Sequence, residues 1–297
     1  MNPTPTAIVR ERELRDLRAR YAALDSPLTC TPGTLWGPGR SWDVDSDAFR
    51  ADNAYLWQTR HGFAGPDPAA TYRAIAEHLH RNDHRGLLRH LDEDGAFGAV
   101  TTDHPRHGPL SRDRLDSVAE LDFLDRIWDL FDRGPLTVLD IGAGYGRLAH
   151  RAVQARVPLH RYLCVDAVPE STHLCRRYLR HRRVDHTAVT VDLDQLQDAL
   201  PDRVDLAVNV RSFTELPATV VTAWLDVLDR VQADALFLVP SHGSRIAALD
   251  ADGTRPDLTS TLRARGWRVT ADEPMLTDPD LHARAGRGDH HLLLTRA

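Results

Sequence analysis

The feature that most constrains the fold is a glycine-rich loop directly after a short apolar run. Residues Val138–Arg147 read VLDIGAGYGR, so an apolar segment ends at the first glycine and a helical segment follows the last. Glycine lets the backbone turn sharply and lets a ligand approach with no Cβ in the way. In open parallel sheets, ligands bind outside the carboxyl ends of the strands. The sequence therefore predicts a cofactor loop at Asp140–Arg147.

Around this loop, short apolar runs alternate with amphipathic segments, which is typical of a mostly parallel sheet covered on both faces. No segment of helix length separates the last two predicted strands, which favours an antiparallel edge pair. We predict strands at Leu136–Ile141, Arg161–Val165, Ala188–Asp192, Val204–Val210, Ala235–Val239, Trp267–Ala271 and His290–Thr295. We predict helices at Asp113–Asp132, Arg147–Ala155, Pro169–Arg180, Thr219–Val231 and Leu258–Arg265.

The residues before this alternation are expected to form a separate part of the chain. We divide the sequence into a helical and loop-containing cap or lid over residues 1–108 and a catalytic domain over residues 109–297. The Trp-containing segment Leu35–Trp57 fits either a lid or an extension that fills the core. Helices are expected at Ile8–Leu24, Asn53–Arg60 and Ala69–Leu91, and loops at Ser26–Asp52 and Gly95–Pro109.

Composition excludes several classes of function. The 297 residues carry a formal net charge of -6, which is a poor match to a nucleic-acid substrate. No apolar run reaches the ~20 residues of a membrane helix, and no apolar leader stands at the N-terminus. Three cysteines without a CxxC pair favour a reduced, cytoplasmic protein. A homodimer is compatible with this composition.

No metal site is predicted. The sixteen histidines are scattered, and His290 and His291 point to opposite faces of a strand. Near the fourth strand the acidic residues are Asp205 and Glu215, followed by Asp226 and Asp229 at helical spacing. Mg²⁺ needs few protein carboxylates, but solvated helix acids explain this pattern more simply.

Two acidic positions indicate which cofactor the loop serves. Asp140 stands two residues before the first glycine, where dinucleotide folds usually have an apolar residue, and the spacing is GxGxG instead of GxGxxG. Asp166 ends the second strand, where a carboxylate accepts both ribose hydroxyls of NAD or of S-adenosylmethionine (SAM). The alternatives are a ligand-free tight turn for the loop and an ordinary helix N-terminal acid for Asp166.

With these residues in place, Leu115–Ala297 resembles the class I SAM-dependent methyltransferase superfamily, whose fold is Rossmann-like with seven strands and an antiparallel last strand. The segments Asn209–Leu216 (NVRSFTEL) and Asn53–Arg60 (NAYLWQTR) resemble motifs of the sugar O-methyltransferases of antibiotic biosynthesis, of the nanchangmycin type. The resemblance implies methyl transfer from SAM to a hydroxyl of a small molecule, such as a (deoxy)sugar of a bacterial natural product.

The resemblance also assigns residues to the cofactor and to the acceptor. Tyr55 and Arg60 are candidates to hold the methionine carboxylate, because a guanidinium binds a carboxylate bidentately. Candidates for acceptor contacts are Trp57, Gln58, Ser212 and Phe213. The remaining cofactor candidates are Asp140, Gly142, Ala143, Gly144, Gly146, Arg147, Asp166, Ala167, Asp192, Leu193 and Asn209.

The acceptor is inferred by elimination. The fourth strand is followed by Asn209-Val210-Arg211-Ser212 and not by the Asn/Asp-Pro-Pro-Tyr/Phe motif of base amino-methylation, and the paired glutamates of protein arginine methyltransferases are missing. A small-molecule hydroxyl is the best remaining acceptor, with phenols and amines as alternatives. A dinucleotide-dependent oxidoreductase and a SAM-binding module without activity are the other two classes.

A base that takes the proton of a sugar hydroxyl would accelerate transfer by roughly 10²–10⁴-fold. His242 follows the fifth strand and has an ordinary pKa suited to neutral pH. Glu215 follows the fourth strand, and we expect it to orient the histidine, to bind substrate, or to act as base itself. The alternatives are a loop histidine and a helix-capping acid.

Overall fold

The computed structural model describes residues 5–30, 34–37, 44–51, 67–241, 243–285 and 289–296. Its helices are α1 (Pro5–Ala22), α2 (Pro68–Asn82), α3 (Leu87–His90), α4 (Arg112–Trp128), α5 (Arg147–Gln154), α6 (Pro169–Arg182), α7 (Leu196–Ala199), α8 (Ala218–Arg230), α9 (Thr259–Ala264) and α10 (Pro279–Ala285). Its strands are β1 (Thr102–His104), β2 (Gly108–Leu110), β3 (Leu136–Ile141), β4 (Leu159–Val165), β5 (Ala188–Val191), β6 (Leu206–Val210), β7 (Ala235–Val239), β8 (Trp267–Pro274) and β9 (His290–Arg296).

The main sheet has seven strands in the order β5-β4-β3-β6-β7-β9-β8. Strands β3 to β7 are parallel, and β9 runs antiparallel between β7 and β8. The predicted Rossmann-like sheet with an antiparallel last strand is therefore confirmed. The chain winds outward from β3 to β5 and then returns to β6 on the other side of β3. This reversal places a crevice beyond the end of β3, where such sheets bind ligands.

Three predicted segments differ in the structure. The seven-residue helix α10 lies between β8 and β9, and it forms because Asp278 accepts hydrogen bonds from two of its backbone N–H groups while Leu281 and Ala285 are buried. The predicted helix Ala69–Leu91 is two helices, because Asp83 accepts hydrogen bonds from the N–H groups of Leu87 and Leu88 at 2.7 and 2.8 Å and so starts a new one.

The third difference is the hairpin of β1 and β2, which occupies the predicted loop Gly95–Pro109. The predicted helix Asn53–Arg60 lies outside the described residues. No helix in the described part of the chain is long and apolar enough to cross a bilayer.

The two faces of the sheet carry two hydrophobic clusters, and residues before position 109 contribute to both. On one face, Phe49, Tyr72 and Ile75 pack with residues of α4 and β3. On the other face, Leu17 and Tyr21 of α1 pack with residues of α8 and β7. The N-terminal segments that the structure describes therefore share the core of the sheet. The division at residue 108 stays a prediction.

A buried ionic network joins the N-terminal segments to the helices around the sheet. The fully buried Arg50 pairs with Glu93 at 2.6 Å and with Asp113 of α4 at 2.8 Å. Arg151 of α5 pairs with the same two carboxylates at 2.9 and 2.8 Å. Tyr145 adds a hydrogen bond to Asp113 at 2.9 Å. Each buried charge thus has partners, which is the condition for tolerating it in a core.

Candidate cofactor and acceptor site

The glycine loop turns at the end of β3 through three left-handed residues. Gly142, Gly144 and Gly146 have φ of +76°, +57° and +80°. A Cβ at Gly142 would lie 2.4 Å from the Cβ of Ser212, so the loop and the segment after β6 approach each other only because residue 142 has no side chain. The N–H groups of Gly142 and Ala143 donate to the Val165 carbonyl at 2.9 and 3.1 Å, which fixes the loop to the end of β4.

Asp166 follows β4 and faces this loop. Its Oδ2 accepts a hydrogen bond from the Gly144 N–H at 3.0 Å, and its Oδ1 accepts one from the Val168 N–H at 2.8 Å. Burial raises the pKa of this carboxyl to about 7, in spite of both hydrogen bonds. The Ser171 side chain also hydrogen-bonds to this carboxyl, and the remaining acceptor capacity of the carboxylate faces the pocket, where a ligand hydroxyl can donate to it.

Asp140 ends β3 beneath the loop and is buried. The Tyr162 hydroxyl donates to its Oδ2 at 3.0 Å, and burial raises its pKa to about 7. The neighbouring Arg147 directs its guanidinium elsewhere, to the Glu120 carboxylate of α4 at 2.7 and 2.8 Å. Asp140 therefore has no direct ion pair among the described residues, and a positively charged ligand group beside it would favour its ionised form.

One pocket lies above these residues, at the carboxyl ends of β3, β4 and β6. Six of the residues predicted to bind cofactor or acceptor, or to act in catalysis, line it: Gly142, Gly144, Asp166, Ala167, Ser212 and Glu215. The other lining residues are Trp36, Ile141, Val168, Ser171, Val210, Arg211, Leu216 and Trp224. The pocket thus brings the glycine loop, the acid after β4 and the segment after β6 to one place.

Glu215, which follows β6, also lines this pocket. The Trp36 indole N–H donates to its Oε2 at 3.0 Å. Burial raises the pKa of the Glu215 carboxyl, and the Trp36 hydrogen bond and the charges of Arg211 and Arg255 partly offset the rise. A carboxyl in such surroundings is better suited to accept a proton near neutral pH than an exposed one.

Two other predicted residues of the β6 segment serve the fold. Asn209 is buried, and its amide donates to the Ile141 carbonyl while its Oδ1 accepts from the Phe213 N–H, both at 2.8 Å. It therefore joins the ends of β3 and β6 below the pocket. The ring of Phe213 is 2% exposed and packs in the core with α8 residues, so it does not line the pocket.

The two predicted cofactor residues after β5, Asp192 and Leu193, are covered by α1. Arg20 pairs with Asp192 and with Asp194, each at 2.7 Å, and Arg176 of α6 also pairs with Asp192. The Leu193 N–H donates to the Tyr21 hydroxyl at 2.8 Å. Asp192 and Leu193, both predicted to contact the cofactor, therefore have protein partners in this structure.

The remaining predicted residues are placed as follows. Gly146 caps α5, and a Cβ there would lie 2.9 Å from the Cys175 sulfur. Five predicted site residues lie outside the described part of the chain: Tyr55, Trp57, Gln58, Arg60 and His242. Among the described residues, no group of three or more His, Cys, Asp or Glu side chains is arranged to bind a metal ion.

Two residues that contact the site, Tyr21 and Trp36, were not predicted from the sequence. Trp36 lies in the Trp-containing segment Leu35–Trp57, which was predicted as either a lid or a core-filling extension. Its aromatic composition therefore gave an indication that this segment could reach the site. Tyr21 carried no such signal, because it contacts residues of the sheet edge that lie 151 and 172 positions away.

The arrangement fits S-adenosylmethionine. Asp166 offers acceptor capacity for a ribose hydroxyl, and the buried Asp140 offers a negative charge toward a cationic methionine end. The left-handed glycines between them keep side chains out of the turn. The described residues therefore present complementary groups to both ends of the cofactor.

Comparison with known proteins indicates the class of domain. Residues 138–234 match the model of a methyltransferase domain family. A curated malonyl-[acyl-carrier protein] O-methyltransferase from Geobacter sulfurreducens is 28% identical over 170 residues. That match covers 57% of each chain, so this chain spans little more than half the length of that relative.

Solved structures of methyltransferases are also similar. A magnesium protoporphyrin IX methyltransferase from Synechocystis aligns with a TM-score of 0.45 at 13% identity, over 79% of this chain and 99% of that one. A SAM-dependent methyltransferase from Aquifex aeolicus aligns with a TM-score of 0.41 at 17% identity, over 58% of this chain and 93% of that one.

The domain match favours methyl transfer over the dinucleotide-dependent alternative. Its matched segment contains the glycine loop, Asp166 and the segment after β6. Residues 138–234 thus match a methyltransferase domain, and the cofactor of such a domain is S-adenosylmethionine.

Proposed function

We propose that this chain transfers the methyl group of S-adenosylmethionine to a hydroxyl of a small molecule, specifically a (deoxy)sugar of a bacterial natural product. The observation that carries the proposal is Glu215. It lines the same pocket as Gly144 and Asp166, it is partly buried, and desolvation raises its pKa. A proton acceptor and the cofactor loop thus face one cavity, which a hydroxyl acceptor requires and a passive SAM-binding module does not.

The chemistry divides between the cofactor and the chain. The cofactor supplies an electrophilic methyl group on a good leaving group, so alignment contributes much of the rate. A sugar hydroxyl is a weak acid, and Glu215 accepts its proton as transfer proceeds, or does so through His242 after β7. Trp36 holds one oxygen of Glu215 and leaves the other for the acceptor. The Trp36 ring also gives the pocket an aromatic wall of the kind that packs on sugar faces.

A second acceptor class follows from the curated relative, which is named for malonyl-[acyl-carrier protein]. A malonyl group carries a free carboxylate, and two features oppose it here. Glu215 lines the pocket as an acid, and Arg211, the arginine among the lining residues, is paired with the buried Asp289. A neutral hydroxyl avoids the repulsion that a carboxylate would meet beside Glu215.

The test is a methyl-transfer assay with product S-adenosylhomocysteine as the readout. The acceptors are hydroxylated glycosides, a phenol, an amine and a malonyl thioester. We expect turnover with a glycoside and none with the malonyl thioester. Turnover with the thioester alone would contradict the proposed acceptor, and SAM binding without turnover on any acceptor would favour the inactive module.

Single-turnover rates at saturating SAM then assign the base. Glu215→Gln keeps the size of the side chain and its contact with Trp36 but cannot take a proton, so we expect the rate to fall by roughly 10²-fold or more. His242→Ala separates direct from relayed proton transfer. Asp185→Asn, on an exposed turn between α6 and β5, is the matched control. Rates within threefold of the unmodified chain for both site variants would leave alignment as the only source of catalysis.

A further inference from the structure

A second cavity lies apart from the cofactor pocket, between α2, α4 and the β8–β9 edge of the sheet. Its volume is about 380 Å³, whereas the cofactor pocket has about 60 Å³. Ligand sites usually measure about 300–1,000 Å³. The two cavities share no lining residue. The methyl-transfer chemistry proposed above uses none of this second cavity.

A buried imidazole forms part of its lining. His291 of β9 is 4% exposed, lines the cavity, and makes no hydrogen bond to any other described residue. Its ring packs edge-on against Phe123 and Phe237, with ring centroids at 5.4 and 5.6 Å. Burial lowers its pKa to about 3, so the imidazole is neutral and has one nitrogen that accepts and one that donates. Because the imidazole lines the cavity, its nitrogens can form a hydrogen bond with a ligand bound there.

The charged groups of the cavity leave an excess of acceptors. Asp122 and Glu273 both bind Arg126, at 2.9 and 2.8 Å. Asp83 adds a third carboxylate to the lining. Both oxygens of Asp83 cap α3, so the two carboxylates that share the Arg126 guanidinium leave one negative charge in excess, and burial raises the pKa of the Asp122 carboxyl because its ion pair does not fully compensate its desolvation.

The rest of the lining combines apolar walls with the buried His78, which contacts the Thr277 hydroxyl, and a polar mouth. Leu79, Val118, Ala119 and Met275 are all buried and form the walls beside Asp122 and His291. The mouth is formed by the exposed residues Asn82, His84 and Thr277. A ligand that fits this cavity therefore has an apolar body and a group that only donates hydrogen bonds.

We propose that this cavity is a second binding site, for a small organic amine whose ammonium donates to the Asp122 carboxylate and to a His291 nitrogen. An ammonium carries three donors and no acceptor, which matches two acceptors in an acidic cavity. The apolar body of the amine contacts Val118 and Met275. The site is independent of the proposed methyl acceptor, so either assignment can fail without the other.

The experiment uses the full chain saturated with SAM and three probes of one shape: benzylamine, benzyl alcohol and benzoate. Thermal shift and calorimetric titration should show saturable binding of benzylamine and at least tenfold weaker binding of the other two. Equal binding of all three, or no binding of benzylamine, would mean a water-filled cleft and would overturn the proposal. Displacement of benzylamine by SAM, in a titration of the cofactor-free chain, would place the amine in the cofactor pocket and would overturn it as well.

Two variants test the residues. Asp122→Asn removes the charge and keeps the shape, and we expect at least a tenfold rise in the Kd for benzylamine. His291→Phe keeps a ring between Phe123 and Phe237 but removes the nitrogens, and we expect a severalfold rise with the fold intact by circular dichroism. Asp185→Asn, which is remote from the cavity, should leave the Kd unchanged. Unchanged affinity in both cavity variants would contradict the site.

Discussion

Asp140 and Asp166 end the neighbouring strands β3 and β4, and burial raises the pKa of each to about 7. In the unfolded chain both would titrate near 3.9. The folded, cofactor-free protein therefore binds more protons than the unfolded chain between about pH 4 and pH 7, and these two groups make it less stable as the pH rises through that range. We expect bound SAM to favour the ionised carboxylates instead of the protonated ones, because ribose hydroxyls and a cationic methionine end both stabilise the ionised form.

The first prediction is that SAM affinity falls as the pH is lowered through about 7. With one carboxyl of pKa about 7 that must be ionised, about a tenth of the molecules are competent at pH 6 and about nine tenths at pH 8. Calorimetric titration should therefore show a Kd roughly tenfold lower at pH 8 than at pH 6.

Asp166→Asn isolates the contribution of one of the two acids. This variant keeps an acceptor oxygen but no longer titrates, so its SAM affinity should be weaker at pH 8 and should vary less between pH 6 and pH 8. Asp185→Asn should reproduce the unmodified profile. A flat profile in the unmodified chain would mean that neither carboxyl needs to be ionised for SAM to bind.

At the scale of elements, side chains of α1 bind helix α6 and the segment after β5. Arg18 pairs with Glu170 at 2.7 Å, Arg20 pairs with Asp192 and Asp194, and the Tyr21 hydroxyl lies between the Leu193 N–H and the Thr172 hydroxyl. The adjoining pocket has about 60 Å³, below the range of about 300–1,000 Å³ usual for ligands. We therefore expect the contacts of α1 beside the pocket to oppose cofactor binding.

The second prediction follows from the hydrogen bond between Tyr21 and Leu193. Tyr21→Phe frees the backbone N–H of Leu193, a residue predicted to contact the cofactor, and it removes a net contribution of about 0.5–1.5 kcal/mol from the contacts of α1. We expect SAM to bind about 2–10-fold more tightly. Weaker binding in this variant, measured by titration beside the unmodified chain, would instead make the Tyr21 hydroxyl a part of the cofactor site.

The elements themselves differ in how far sequence predicts them. The strands β3 to β7 are short apolar runs, and each was predicted to within two residues at either end because parallel strands buried on both faces must be apolar throughout. The helix α10 was missed because its seven residues are too few for a periodic pattern, and its stability comes from the Asp278 cap and tertiary burial.

The parts of the site that could be predicted are those whose residues lie next to one another in the sequence. The glycine loop and Asp166 are set by the strand ends that carry them. The contacts of Tyr21 with Leu193 and of Trp36 with Glu215 join positions 172 and 179 residues apart, and a single sequence contains no local pattern that pairs them. Such contacts depend on tertiary packing, which periodicity does not encode.

At the scale of the whole molecule, the network of Arg50, Glu93, Asp113 and Arg151 links the segments before β1 to the helices α4 and α5. The hydrophobic cluster on the same face crosses residue 108 as well. An independent cap over residues 1–108 would leave these carboxylates and apolar side chains without partners in the other half. Shared burial of this kind favours unfolding of both parts in one transition.

The last prediction is that Arg50→Met destabilises the whole chain. Methionine is similar in length but has no charge, so Glu93 and Asp113 would be left in the core with Arg151 as their shared cation. Removing one partner of a buried ion pair costs about 3–5 kcal/mol, whereas an exposed pair contributes about 0–1 kcal/mol. Arg203→Met is the matched control, because Arg203 pairs with Asp234 at 2.6 Å with both side chains exposed. Urea unfolding followed by circular dichroism and by tryptophan fluorescence should give coincident transitions in all three proteins, with the midpoint lowered strongly in Arg50→Met only. Two separate transitions, of which Arg50→Met shifts only the weaker, would instead show that the N-terminal part folds as its own unit against a sheet that is stable without it.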